Sequence, residues 1–234
     1  MKKNDNTNQT KINTPAGKLA WPHISSVDYG TDNFPKPDGE YNTRLILSPS
    51  ENVSKFLKSL DQLMDQARKK AEAELSKMTV PARKKIEQAG GIKPLAPYSE
   101  VFDPDTEEPT GEIEFRAKTK ASGVSKKDNK RWNRKLAIFD AKGQPIPEGV
   151  EIWGGSTAVL AVTLEPYFVS GSGQYGLQKR LNAVQVLSLV SSGGNQNAET
   201  YGFSEHEGFD ASTLAPHEKS EDYNLYEEDD ATAF

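Results

Sequence analysis

Glu112-Ile113-Glu114-Phe115-Arg116-Ala117-Lys118-Thr119-Lys120-Ala121 alternates without a break between charged residues and apolar or small ones. Successive side chains of an extended chain point to opposite faces, so this period of two predicts a strand. Its inner face would carry Ile113, Phe115, Ala117, Thr119 and Ala121. The outer face would carry Glu112, Glu114, Arg116, Lys118 and Lys120, and is largely basic.

Outward from this strand, the same kind of reading places further strands at Tyr41–Leu47, Leu136–Phe139, Thr157–Phe168 and Leu177–Val190. The turn Asp140-Ala141-Lys142-Gly143 closes one of them, and the glycine-rich Gly171-Ser172-Gly173 joins the last two. Between Leu47 and the central strand the period changes. Ser48-Pro49-Ser50-Glu51 reads as a helix start, with a Ser cap, Pro at the first helical position and Glu three residues after the cap. Val53, Phe56, Leu57, Leu60, Leu63, Met64, Ala67, Ala71, Leu75 and Met78 follow three or four apart, giving a long helix one apolar stripe. Arg68-Lys69-Lys70 reads as solvated helix surface. Pro81 starts a second helix that ends at Gly90-Gly91. Trp21 to Asp38, rich in Pro, Gly and Asp, reads as extended loops with at most one short strand.

The expected fold is mainly β: a small five-stranded barrel of the OB-fold type, with a long α-helix inserted at about 49–90. A doubly wound parallel sheet would need regular strand–helix alternation, which is missing. Residues 1–18 read as a disordered arm, 19–190 as the folded domain and 191–234 as a disordered acidic tail.

Charge divides the chain. Residues 191–234 hold eleven carboxylates and one lysine, and the remaining 190 residues hold 28 Lys+Arg against 23 Asp+Glu, so a +5 body carries a −10 tail. Such asymmetry points to a polyanionic partner, with the tail as an internal polyanion for the same surface. There is no cysteine, which excludes disulfides, thiolate metal sites and thiol catalysis and suits a reducing cytosol. Met1-Lys2-Lys3 is followed by polar residues where a signal peptide would be apolar, and no membrane span is expected.

The basic charge converges. Residues 115–142 contain ten basic residues and two acids: Arg116, Lys118, Lys120, Lys126, Lys127, Lys130, Arg131, Arg134, Lys135 and Lys142 against Asp128 and Asp140. Trp132 stands among them. Cations that track phosphates beside flat rings that stack on bases are what a single-stranded nucleic acid requires. Trp153, Tyr167, Phe168 and Tyr175 form a second aromatic group. Trp153 reads as core, and Tyr167, after Pro166 at a strand end, as exposed.

Other motifs carry less. Gly171-Ser172-Gly173-Gln174-Tyr175-Gly176 spells a dinucleotide-binding glycine pattern, but a Val- and Leu-rich strand follows where a helix is needed, so it reads as a mobile hairpin loop. Asp103, Asp105, Glu107 and Glu108 lie among prolines and read as a solvated turn. His23, His206 and His217 are too scattered to form a metal triad or a nucleophile–base pair. No catalytic residue, metal or cofactor is expected.

Several short motifs occur in a shared order: Gly39-Glu40-Tyr41, Lys93-Pro94-Leu95-Ala96-Pro97-Tyr98, Phe139-Asp140-Ala141-Lys142-Gly143, Gly154-Gly155-Ser156, Pro166-Tyr167, and an acidic tail ending in Phe234. In this the chain resembles the phage OB-fold family of replication single-stranded DNA-binding proteins. The resemblance implies sequence-tolerant binding of single-stranded DNA, in the cytoplasm of an infected bacterial host. It also implies a tail (Glu227, Glu228, Asp229, Asp230 and Phe234) that contacts a polymerase, helicase or primase, and a homodimer partly held by tail exchange. Tyr167 matches the family's stacking tyrosine and Lys118 a basic strand position. Asp38 stands where the family has a basic residue, with Lys36 as its substitute, and Val169 replaces an aromatic, leaving Phe168 to compensate. The expected DNA contacts are Lys36, Arg116, Lys118, Lys120, Lys126, Lys127, Lys130, Arg131, Trp132, Arg134, Tyr167 and Phe168. Two other classes compete: an acidic-tailed chaperone or adaptor for basic proteins, and an enzyme, either a metal-dependent nuclease using Asp103 and Asp105 or a nucleotide-binding enzyme using the glycine loop.

Overall fold

A computed structural model describes residues 9–191. In chain order the elements are β1 (Thr10–Asn13), β2 (Gly17–Thr31), β3 (Phe34–Leu47), α1 (Glu51–Lys77), α2 (Val80–Gln88), β4 (Lys93–Pro94), β5 (Ser99–Phe102), β6 (Pro109–Lys120), β7 (Ser122–Val124), β8 (Arg131–Asn133), β9 (Ala137–Phe139), β10 (Thr157–Val169) and β11 (Gln174–Ser188). Strands β2, β3, β6, β11 and β10 pair in that order, and β10 returns to β2, closing a five-stranded barrel. The short strands decorate it: β1 on β10, β5 on β6, β4 and β9 on β11, and β7 with β8 as a separate hairpin. This is the OB-fold architecture, with the helices entering between the second and third barrel strands.

The alternation of β6 decides its packing. Ile113, Phe115, Ala117 and Thr119 are buried, and the antiparallel register sets them opposite Leu47, Leu45, Thr43 and Tyr41 of β3. Helix α1 packs its stripe of Val53, Phe56, Leu60, Leu63, Ala67 and Ala71 against the barrel. Phe56 meets Phe115 edge-to-face with ring centroids 5.3 Å apart. Each such fully buried apolar side chain contributes about 1.5–3 kcal/mol.

Barrel closure is uneven. β10 and β11 pair along their whole length, whereas β6 and β11 share one parallel ladder position, Arg180↔Lys118. The Lys179 side chain fills part of that seam, with its ammonium 5.4 Å from the Phe115 ring centroid and donating to the Pro97 carbonyl at 2.6 Å. Burial, with Arg116 close by, pushes the Lys179 pKa down.

The structure corrects four expectations. Residues 10–18 are not an unstructured arm, because Thr10–Asn13 pair with Leu164–Ala161 and β2 begins at Gly17. Backbone pairing with an apolar strand orders a segment that has no apolar period of its own. Trp21–Asp38 is not loop but the far half of a long β2–β3 hairpin, and the strand read as Tyr41–Leu47 starts at Phe34. Pro35 and Pro37 are tolerated there because the β3–β6 register begins only at Glu40, so no ladder on that side needs their missing N–H. The helix cap is Ser50, whose hydroxyl accepts from the Val53 N–H at 3.2 Å, while Ser48 donates to Glu112 at 2.7 Å. Lys70 is not plain solvated surface, since its ammonium donates to the Pro166 carbonyl at 2.7 Å.

Candidate nucleic-acid interface

The inward turn of Tyr41, Thr43 and Leu45 leaves Glu40, Asn42 and Arg44 pointing out of the barrel. The register sets these opposite Lys120, Lys118 and Arg116, so Arg44 and Arg116 stand side by side, as do Asn42 and Lys118. On the other flank β2 brings Ala20 beside Arg44 and His23 beside Asn42. Two outward rows therefore cross the strands: Ala20–Arg44–Arg116 and His23–Asn42–Lys118.

Carboxylates are threaded through these rows. Glu40 pairs with Lys36 at 2.5 Å and Lys118 at 3.2 Å, Asp28 with Lys36 at 2.5 Å, Asp38 with Lys120 at 2.6 Å, and Glu114 with Arg44 at 3.4 Å and with Arg116. The Lys36 hydrogen bond, helped by the Gly30 N–H and Asn42, holds the Asp28 carboxyl down at about 2. Burial raises the Glu40 pKa, but the hydrogen bonds from Lys36 and Lys118 outweigh it and leave it lowered. Lys36 is raised by its bonds to Asp28 and then Glu40. Any anion entering here would have to exchange places with a carboxylate.

Beside the seam, Glu40, Asn42, Thr43, Arg44, Arg116, Ala117, Lys118, Tyr167, Leu177, Gln178 and Lys179 line a groove of about 750 Å³. Tyr167 is half-buried, with its hydroxyl end over Gly176, where a Cβ would come within 3.1 Å. Lys70 holds the preceding Pro166 carbonyl. One wall of the groove is thus a ring in a fixed place, and the other carries Arg44, Arg116 and Lys118. That arrangement suits phosphates on one side and a base on the other.

The β7–β8 hairpin carries the remaining basic residues. Lys126, Lys127, Lys130 and Arg131 are exposed, and among the described residues none of them forms an ion pair. Trp132 lies against Gly123, where a Cβ would meet its Cζ2 at 2.7 Å, and the Arg134 guanidinium stands 5.1 Å from its ring centroid. Arg134 also donates to the Thr119 hydroxyl at 2.5 Å. Trp132 thus packs within the hairpin, and Arg134 ties the hairpin to the barrel.

The family model for the bacteriophage T7 single-stranded DNA-binding protein matches residues 17–189. The chain belongs to this phage single-stranded DNA-binding protein family. It is 28% identical over 229 residues to the single-stranded DNA-binding protein of Escherichia phage T7, covering 94% of each chain. With that of Enterobacteria phage T3 it shares 27% over 215 residues, 89% of this chain and 87% of the relative. The crystal structure of gp2.5, a single-stranded DNA-binding protein encoded by bacteriophage T7, superimposes with a TM-score of 0.59 at 20% identity, covering 87% of this chain and 99% of that one. The fold is shared.

Within this family member the structure separates the expected site residues. It brings Lys36, Arg116, Lys118, Lys120 and Tyr167 onto one face. Phe168 is placed elsewhere: alternation turns it away from Tyr167, and it packs half-buried against the core. Trp153 is not core but 46% exposed, because it lies in the turn before β10, outside any strand period. Tyr175 is buried. The Asp103 carboxylate accepts from the N–H groups of Thr106 and Asp105, which lowers its pKa and closes its own turn. Among the described residues no three His, Asp or Glu converge as metal ligands. Gly171–Gly173 turns β10 into β11, so no helix N-terminus faces it. Among the described residues no helix is long and apolar enough to cross a membrane. Glu227, Glu228, Asp229, Asp230 and Phe234 lie outside the described residues.

Four side chains went unread in the sequence. Arg44 and Lys179 line the groove; Arg44 was legible in the alternation of Tyr41, Thr43 and Leu45. Tyr29 and Phe34 are 65% and 79% exposed near the tip of the β2–β3 hairpin, a tip hidden by the reading of that segment as loop.

Proposed function

We propose that this chain binds single-stranded DNA during phage replication and recombination without sequence preference. The observation that carries the reading is the juxtaposition of Arg44, Arg116 and Lys118 with Tyr167 around one groove. Phosphates take the places of the Glu40, Asp38 and Glu114 carboxylates on Lys118, Lys120 and Arg116. Tyr167 stacks on a base, which tolerates any base because every base has a flat face. Lys126, Lys127, Lys130 and Arg131 extend the positive surface along the adjoining hairpin, and no step calls for catalysis or a cofactor.

The acidic segment 191–234 competes with DNA for the same cations. Once DNA displaces it, Glu227, Glu228, Asp229, Asp230 and Phe234 recruit a polymerase, helicase or primase in the host cytoplasm, and exchange of this segment between copies supports a homodimer. The opposed charges of body and tail support this reading.

The test is fluorescence anisotropy of the full chain and of residues 1–204 with labelled oligo-dT and the matching duplex, each about 30 nucleotides and so roughly two site lengths, across a salt series. Binding to the single strand well above the duplex is expected, with the shortened chain tighter at low salt, where charge competition is least screened. Equal affinity for duplex and single strand would overturn the DNA reading. Unchanged affinity on shortening would overturn the competitor.

A further inference from the structure

The two outward rows do not stop at β3. They continue onto β2 through Ala20 and His23, and those residues also line a second, mostly apolar cleft of about 570 Å³ with Leu19, Trp21, Pro22, Ile152 and Trp153. The two indoles are exposed, at 75% and 46%.

Both rings are held out by the backbone. Trp21 sits in an irregularity of the β2–β3 ladder between Ala20 and His23 and has φ +49°. A bulky residue in the left-handed region is strained, and a bulge re-aims the side chain it carries. The sequence places that strain on an indole instead of a glycine, and the ring it presents buries little. Trp153 is held by two bonds of its own and by one from the turn that follows it. Its N–H bonds the Val190 carbonyl at 2.8 Å, its indole Nε1–H donates to Glu151 at 3.0 Å, and Gly155 N–H bonds the Leu19 carbonyl at 2.8 Å.

Resting on the DNA reading above, we infer that the Trp21–Trp153 cleft is a second base-stacking station, at the opposite end of the track from Tyr167. A strand crossing the barrel perpendicular to β6, β3 and β2 meets, in order, Tyr167, then Lys118 and Arg116, then Asn42 and Arg44, then His23 and Ala20, and finally the cleft. Neighbouring strands lie about 4.8 Å apart, so the step from β6 to β2 is roughly 10 Å. The occupant is an unstacked nucleobase of the same single strand, because the cleft is continuous with the phosphate-binding rows and its walls are flat rings.

The test uses the full chain with oligo-dT of about 16 nucleotides, the long end of the site size of one OB fold. W21A and W153A are each expected to weaken binding by roughly five- to 150-fold. Paired W21F/W132F and W132F/W153F substitutions leave one indole at Trp153 or Trp21, and its fluorescence should be quenched on DNA addition. Normal binding by W21A and W153A with no quenching, while K118A binds weakly, would overturn the cleft and leave the DNA reading intact. Wild-type binding by K118A, R116A and Y167A together would overturn the DNA reading, and the cleft with it. Loss of self-association by the tryptophan variants in sedimentation, with unchanged DNA affinity, would overturn the base site in favour of docking by a second copy.

Discussion

Arg44 and Arg116 are cross-strand neighbours, and the single Glu114 carboxylate pairs with both. Like charges set opposite in a ladder repel. Glu114 relieves that repulsion in the free protein and occupies the guanidiniums a phosphate would use. E114Q should therefore tighten oligo-dT binding several-fold at low salt and lower the melting temperature slightly, both read on one preparation by anisotropy and thermal unfolding. Weaker DNA binding by E114Q would show that the carboxylate orients the arginines and does not compete for them.

Lys118 stands at the centre of the face, between Asn42, Glu40 and the groove. If it neutralises one phosphate, K118A should reduce the slope of log K against log salt by about 0.7, the value per contact for a single strand. A slope unchanged within error would remove Lys118 from the phosphate contacts, even if affinity falls.

Gly123 is where Trp132 rests. A Cβ there would lie 2.7 Å from Cζ2 and 3.0 Å from Cε2 of the indole, so G123A must displace the ring or loosen the β7–β8 pairing. The expected cost is about 1–3 kcal/mol, as for overpacking elsewhere. Loss of Lys126, Lys127, Lys130 and Arg131 as a placed group should weaken DNA binding alongside. Chemical denaturation of G123A beside W132A distinguishes the two roles of the ring: equal destabilisation, with W132A no weaker for DNA than G123A, marks Trp132 as a brace.

Asp28 titrates near 2 in the folded chain, held down first by Lys36. A carboxyl whose folded pKa lies below its unfolded one stabilises fully above the unfolded value, about 3.9, and loses that stabilisation as pH falls through the folded value. The hairpin network should thus weaken between about pH 4 and pH 2. D28N should melt lower than the parent at pH 7, and the gap between them should close across that window. A constant gap would mean that Asp28 acts through shape and not charge.

The barrel was legible wherever a strand has one dry and one wet face. Ile113 to Ala121 and Tyr41 to Leu47 announce themselves, and so does the stripe from Val53 to Ala71. β2 was not legible, because Pro22, the Trp21 irregularity and glycines at 17 and 30 break its period, and its order comes from pairing with β3. The basic face could be read as a charge sum and a strand side. Its interior carboxylates could not: Glu40 reaches Lys118 and Asp38 reaches Lys120 across a ladder that joins positions about 80 apart in the chain. Trp153 was misread because a turn residue belongs to no period, and only the tertiary fold decides which way it points.

The single ladder position between Lys118 and Arg180 gives the groove a place in time as well as in space. β2, β3 and β6 pair with one another, and β10 and β11 form a local hairpin; the two units meet at this seam and where Thr157 and Ala158 pair with Lys18 and Gly17. Bringing Tyr167 to Arg44 joins positions 123 apart, beyond the separation in the β3–β6 ladder, and contacts of such separation bear more loop-closure entropy and tend to be made later in folding. Tyr167, Leu177 and Lys179 on one unit reach Arg44, Arg116 and Lys118 on the other only when that closure occurs. A chain still assembling has strands and charge but no groove, so ligand capture reports the final step of maturation. Rapid-mixing refolding with labelled oligonucleotide would therefore see binding appear with the slowest phase.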